Sequence, residues 1–69
     1  MKKYFVFHTT SLVFKSEKII KKCGIDYEIV PTPKLDGHAY CGVCICVDKG
    51  NIEGVEEALI ENYIEYKIA

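Results

Sequence analysis

Hydrophobic and polar residues alternate along three short stretches of the chain, and a fourth stretch is rich in aromatic and β-branched residues. Alternation with a period of two is the pattern of half-buried β-strands. Residues 3–8 favour a pleated sheet and predict the first strand. The alternating stretches are Ile25, Tyr27 and Ile29; Val43, Ile45 and Val47, in a strand over residues 43–48; and Ile64, Tyr66 and Ile68. The second strand is predicted to end at Pro31-Thr32-Pro33, because proline cannot donate to a sheet ladder.

Between these strands, hydrophobic residues recur at helical spacing in two places. Thr9, Thr10 and Ser11 carry hydroxyls that can cap a helix start, and Gly24 can end that helix in a left-handed conformation. The predicted inward stripes are Val13, Ser16, Ile20 and Cys23 in the first helix, and Ile52, Val55, Leu59 and Tyr63 in the second. Two amphipathic helices are therefore expected.

The resulting order of elements is strand, helix, strand, strand, helix, strand. This order predicts one α+β domain over residues 1–69, a ferredoxin-like β-α-β-β-α-β two-layer sandwich with antiparallel sheet order 4-1-3-2. The loop over residues 34–40 would then lie at the end of the sheet where the first helix starts. Long loops in small domains often carry function.

The charge of the chain points away from two classes of partner. Nine lysines, no arginine and ten acidic residues give a net charge of −1. Such a chain has no field to attract nucleic acid or an anionic membrane surface. His8 and Thr9 end the only apolar run near the N-terminus too early for a signal peptide, so we expect a cytoplasmic protein with reduced thiols.

Cys41 is the strongest candidate for a chemical role. The predicted topology places it near His8, Thr9 and Thr10, where the start of a helix favours an anion such as a thiolate. Gly42 follows it and leaves room for a partner to approach. The alternative is that Cys41 is a small apolar residue closing the core, and the residues alone favour neither reading.

The other cysteines have different predicted environments. Cys23 ends the buried stripe of the first helix and is expected to be a core residue. Cys44 and Cys46 would share the open sheet face with Tyr4, Val6 and His8, making that face unusually apolar. A homodimer packing sheet against sheet would cover it.

A metal-binding or redox module is a second hypothesis. Cys41, Cys44, Cys46 and His38 are residue types that bind zinc or iron-sulfur clusters. Cys41 and Cys44 have opposite strand parity, however, which sends their side chains to opposite faces. We therefore expect no cofactor, and the metal site stays an alternative. A third possibility is a non-catalytic interaction domain.

Several short motifs resemble one family over almost the whole chain. They are Phe7-His8-Thr9-Thr10 before a helix, Glu17-Lys18-Ile19-Ile20-Lys21-Lys22-Cys23-Gly24 within it, Ile29-Val30-Pro31-Thr32-Pro33-Lys34, and Cys41-Gly42 opening a strand. On these residues the chain resembles the selenium/sulfur carrier protein-like family of short bacterial domains.

The resemblance implies a carrier rather than an enzyme, with sulfur or selenium donor and acceptor proteins as partners. Cys41 matches the family's Cys-Gly pair and would hold the sulfur or selenium as a persulfide or perselenide. Thr9 and Thr10 match its Ser-Thr pair. Lys34 stands where the family has arginine. Cys44 and Cys46 stand where the family tends to carry other residues. A thiol near a persulfide can attack it and remove its terminal sulfur.

Overall fold

The computed structural model describes residues 2–32 and 42–69, which form a four-stranded antiparallel sheet and two helices. The elements are β1 Lys2–Val6, α1 Thr10–Lys22, β2 Glu28–Pro31, β3 Val43–Asp48, α2 Ile52–Glu61 and β4 Lys67–Ile68, with a 3-10 turn at Lys49–Asn51 before α2. The sheet order is β2-β3-β1-β4. The predicted α+β class and the order 4-1-3-2 are confirmed.

Strand pairing fixes which side chains share a face of the sheet. β1 and β3 form its centre, with Phe5 opposite Ile45 and Tyr4 opposite Cys46. β2 pairs with the other edge of β3, where Val30 lies opposite Cys44. Because successive residues of a strand point to opposite faces, the cysteines of β3 lie on the face away from Phe5 and Ile45.

The hydrophobic core fills the space between the sheet and the helices. Both helices and the central strands contribute to one buried cluster: Phe5, Phe7, Val13, Ile20, Ile45, Val47, Val55, Leu59 and Ile64. Alternation in the strands and helical spacing in α1 and α2 therefore predicted most of this core correctly. The α1 stripe is confirmed for its first three members, including the fully buried Ser16.

Each helix ends in the same hydrogen-bonded turn. At the end of α1, Gly24 N donates to Lys21 O and Ile25 N to Ile20 O. At the end of α2, Tyr63 N donates to Ile60 O and Ile64 N to Leu59 O. These are the paired bonds of the Schellman motif, in which the residue after the cap is left-handed.

This turn explains two corrections to the predicted stripes. Cys23 is the C-cap of α1 and is exposed, and the chain reverses there so that Ile25 packs against the core instead. Tyr63 lies beyond the end of α2 with φ +56° and is 96% exposed, while Ile64 is buried. Helical spacing in the sequence had predicted that Cys23 and Tyr63 face the core, but each residue lies beyond the last helical turn.

The second strand begins later than predicted and ends at Pro31, within the segment predicted to end it. Pairing starts at Glu28 and includes Pro31, because Ile25 is used to close the end of α1. Tyr27 lies between these elements, and its hydroxyl donates to Glu17 Oε2 of α1 at 2.8 Å. At the other edge, β4 pairs with β1 through Lys67 opposite Val6.

No helix within residues 2–32 and 42–69 combines the length and the apolar character needed to cross a lipid bilayer.

Candidate functional site

Three segments meet at one end of the sheet. β2 ends at Pro31 and β3 begins at Val43, and Thr32 N donates to Gly42 O at 3.0 Å just beyond them. β1 and β3 are antiparallel and pair as far as Phe5 opposite Ile45, so β1 ends at the end of the sheet where β3 begins. His8 and the start of α1 follow β1 directly, and they therefore lie at the same end of the sheet as Gly42.

Gly42 is exposed at the mouth of β3. A Cβ built on it would have no atom of the described residues within 4 Å. Packing against those residues therefore does not require a glycine at this position. The backbone here is open to approach by another molecule.

The Thr9 side chain caps α1. Its Oγ1 accepts a hydrogen bond from Leu12 N at 3.3 Å, and its backbone is extended, as expected of an N-cap residue. The thirteen-residue helix then directs the positive end of its dipole toward this end of the sheet. Thr10, the first residue of α1, is exposed next to the cap.

His8 is exposed and lines a cleft beside β4. The cleft has a volume of about 410 Å³, and its other lining residues are Val6, Ile64, Glu65, Tyr66 and Lys67. It lies on the side of β1 away from β3, so His8 borders both this cleft and the end of the sheet where Gly42 lies. Sequence reasoning placed His8 here but did not predict the cleft.

Cys41 and His38 lie outside the described residues. The expectations that depend on them, a reactive thiolate at Cys41 and a metal site with His38, stay predictions. Gly42, Thr9, Thr10 and His8 are the members of the predicted site whose positions the structure describes.

Cys44 is completely buried and acts as a hydrogen-bond donor. Its Sγ donates to Pro31 O at 3.8 Å, and it sits in the second position of β3. The nucleophilic form of cysteine is the thiolate, and burial away from water disfavours that charged form. The complete burial of Cys44 and its contact with Pro31 O therefore favour the less reactive thiol.

Cys46 lies under an ion pair on the same face of the sheet. Lys2 Nζ is 3.4 Å from Glu28 Oε1, so the pair connects β1 and β2 across β3. The hydrogen bond and negative charge of Glu28 raise the pKa of Lys2. Cys46 lines a cleft of about 90 Å³ with both residues and is only 4% exposed.

The sheet face away from the helices is thus less open than predicted. Val6 and Cys44 are fully buried, and only the edge of Cys46 reaches the surface. A sheet-to-sheet homodimer was predicted from exposed apolar side chains at these positions. That exposure is absent for these three residues, although alternation had placed them on the correct face.

Within residues 2–32 and 42–69, no three His, Cys, Asp or Glu side chains are grouped so that they could hold a metal ion. Cys44 and Cys46 have neighbouring positions on one strand face, and the remaining predicted ligands lie outside that range. The metal hypothesis gains no third ligand from the described part of the chain.

No curated protein and no solved structure gives a significant match to this chain. The model of one protein family does match it, over residues 2–68. The matched region contains β1 through β4 and every member of the predicted site. The chain therefore belongs to the family described as "Putative Se/S carrier protein-like".

Proposed function

We propose that this protein carries sulfur or selenium on Cys41, as a persulfide or perselenide. The observation that carries the proposal is the family match over residues 2–68, which includes the Cys41-Gly42 pair. Partners are a protein that donates the atom and another that accepts it. We place this exchange in the cytoplasm, where thiols remain reduced.

Loading is a substitution at sulfur. The Cys41 thiolate attacks the terminal sulfur or selenium of the donor's persulfide or perselenide, the donor's bond to that atom breaks, and the donor leaves as a thiolate. Delivery is the same reaction with an acceptor thiolate as nucleophile and Cys41 as leaving group. Electrons balance in each step without an added oxidant or reductant.

The surroundings of Gly42 support this role. Gly42 is exposed and lies at the end of the sheet where α1 begins. The helix dipole favours negative charge there, which suits both a thiolate and the anionic persulfide. Thr9 maintains the helix start through its bond with Leu12 N, and His8 and Thr10 lie alongside.

Burial of the additional cysteines supports the proposal as well. A nearby thiolate could attack the loaded sulfur and release it. Cys44 is fully buried and contacts Pro31 O, and Cys46 lies beneath the Lys2–Glu28 pair. Both environments would limit attack by these thiols on an atom carried by Cys41.

Mass spectrometry of freshly isolated, unreduced protein tests the proposal. We expect an added sulfur or selenium on the peptide containing Cys41, and its loss in Cys41→Ser. Cys23→Ser is the matched control, because it removes an exposed thiol at the other end of α1 and should leave the load unchanged. Loss of the added sulfur or selenium in Cys23→Ser would contradict the carrier hypothesis. Stoichiometric zinc or iron in protein purified without chelator would contradict it as well.

We also propose that the fold is ferredoxin-like. The order of elements and the sheet order β2-β3-β1-β4 support this assignment. It further requires both β-α-β crossovers to be right-handed. An experimental structure with a left-handed crossover at α1 or α2 would contradict it.

A further inference from the structure

The outer surface of the helix layer has two stripes of opposite charge. In α1, Lys15, Lys18 and Lys22 are exposed on the side opposite the buried Val13 and Ile20. In α2, the exposed stripe is acidic and consists of Glu53, Glu57 and Glu61. Because α1 and α2 pack side by side, a basic stripe lies next to an acidic one.

Within residues 2–32 and 42–69, the two stripes do not neutralise each other in one copy of the chain. In the described ranges the ion pair formed is that of Lys2 with Glu28, on the sheet. None of the lysines of α1 forms an ion pair with a glutamate of α2 in those ranges. Both stripes can therefore pair with another molecule.

Two large apolar side chains are exposed at the flanks of the same layer, Phe14 at 52% and Ile60 at 63%. Glu17, one turn after Phe14, reaches Tyr27 just before β2, so Phe14 lies on the β2 flank. Glu56, one turn before Ile60, lies close to the Tyr66 hydroxyl, whose pKa is raised mainly by burial and further by the charge of Glu56. Because Tyr66 directly precedes β4, at the edge of the sheet opposite β2, Ile60 lies on the β4 flank.

Phe14 and Ile60 also lie at the same end of the layer. The helices run in opposite directions, because α1 follows β1, α2 follows β3, and these strands are antiparallel. Phe14 is in the second turn of α1 and Ile60 in the last turn of α2. Both residues therefore lie toward the end of the layer where α1 begins, on opposite flanks.

We propose that the helix layer binds a second copy of this chain, related by a twofold axis parallel to the helices. This rotation places α1 of one copy over α2 of the other. The lysine stripe then meets the glutamate stripe twice, and Phe14 meets Ile60 at both flanks. In a symmetric interface of this kind, the lysine–glutamate contact and the Phe14–Ile60 contact each form twice.

The interface would have to use almost the whole helix layer. The two longer dimensions of the protein are 31 and 25 Å, with 16 Å through its thickness. A stable complex buries roughly 800 Å² per partner, which is about the area of the entire face, so we expect a weak dimer that depends on protein concentration. Apolar contacts at the flanks contribute affinity, while the charges set the register and the choice of partner.

The same axis determines where the two Gly42 residues lie. Rotation about an axis parallel to the helices keeps the start of α1 at the same end in both copies. Both candidate carrier sites would face one side of the dimer and remain uncovered. The dimer does not depend on persulfide chemistry, so it can be tested separately from the proposed function.

Sedimentation velocity of the intact chain over a wide range of protein concentration tests the proposal. We expect the mean mass to rise toward that of a dimer and the association to weaken as salt increases. Lys15→Glu/Lys18→Glu makes both stripes acidic, and Glu57→Lys/Glu61→Lys makes both basic. Each variant should weaken self-association by roughly tenfold to a hundredfold, since attractive pairs become repulsive at two symmetric sites.

Mixing the two variants gives the sharpest result. The acidic copy and the basic copy should form a one-to-one heterodimer at physiological salt, although neither self-associates. Lys49→Glu/Lys67→Glu, which changes the same charge outside the helix layer, should leave self-association as in the unmodified protein. Circular dichroism confirms that each variant is folded.

Three results would overturn the proposal: a monomer at all concentrations, mixed variants that do not combine, or equal weakening by the Lys49/Lys67 control. Phe14→Ser adds an independent arm, because it leaves every charge in place. We expect it to weaken the dimer, whereas Val30→Ser, on the sheet face away from the helices, should not. A dimer unaffected by Phe14→Ser would also contradict the interface.

Discussion

Gly24 and Tyr63 occupy the same position in two equivalent helix ends. Each follows the C-cap residue, each has a positive φ, +74° for Gly24 and +56° for Tyr63, and each donates its N–H back to the last turn. Glycine adopts this conformation without steric cost, whereas a bulky side chain does not. The sequence signals the first helix end through Gly24, but a tyrosine at the second end gives no such signal.

Tyr63→Gly should therefore stabilise the protein. We expect an increase of about 0.5–1 kcal/mol in the free energy of unfolding, because the left-handed conformation loses its strain. The side chain is 96% exposed, so little packing is lost with it. Urea denaturation followed by circular dichroism measures the change.

Gly24→Ala is the control in the opposite direction and should destabilise the protein by about 1 kcal/mol. A Cβ at Gly24 meets nothing within 4 Å in the described structure, so the cost would come from the backbone conformation. If Tyr63→Gly instead lowered stability, the Tyr63 side chain would be making contacts that its exposure does not indicate.

The same comparison explains which parts of the fold could be predicted. β3 was predicted with its observed bounds, because Val43, Ile45 and Val47 alternate without interruption and the strand is central. The helices were identified from their periodicity. The ends of the helices were not predicted, because hydrophobic residues can keep helical spacing in the sequence beyond the residue where helical hydrogen bonding stops. This happens at Cys23 and at Tyr63.

The candidate site was predictable to a smaller extent. Element order was enough to bring Gly42, His8 and the start of α1 to one end of the sheet. Periodicity could not indicate that Val6 and Cys44 are buried on the face without helices, because alternation assigns a face but not what covers it. The Lys2–Glu28 pair across Cys46 depends on strand register, which a single sequence does not specify.

A second stability prediction concerns Ser16. Its hydroxyl is fully buried between α1 and the core, and Ser16 Oγ has no hydrogen-bond partner among the described residues. A buried hydroxyl without a partner costs about 1–3 kcal/mol of stability. Ser16→Ala should therefore raise the free energy of unfolding by about 1 kcal/mol, as measured by urea denaturation.

Ser11→Ala in the first turn of the same helix serves as the comparison. Ser11 is exposed, and its substitution should change stability by less than about 0.5 kcal/mol. Equal effects at the two serines would show that helix propensity, rather than the buried hydroxyl, is responsible.

The described cysteines should react with an alkylating agent in a fixed order. Cys23 is exposed and should react first, Cys46 next, and Cys44 only when the sheet opens locally. Lys2→Ala removes one side of the cleft over Cys46 and should speed its alkylation without changing that of Cys44. Timed labelling with tandem mass spectrometry separates the two sites, and equal acceleration of both would indicate general loosening of the sheet.

The final prediction concerns alkaline pH. The hydrogen bond to Glu17 raises the pKa of Tyr27, with burial and the charge of Glu17 adding to it, and burial is the main cause of the raised pKa of Tyr66. A folded-state pKa above the unfolded value, about 10 for tyrosine, means that folding favours the neutral phenol. This stability is fully present below pH of about 10 and is lost as the pH rises through the folded pKa values.

The urea midpoint of unfolding should therefore fall as the pH rises through these values. It should fall less in a Tyr27→Phe/Tyr66→Phe variant, which has no phenol to ionise at either position. Tyrosinate absorbance recorded in the same titration links the loss of stability to ionisation, and an identical fall in the double variant would assign it to other groups.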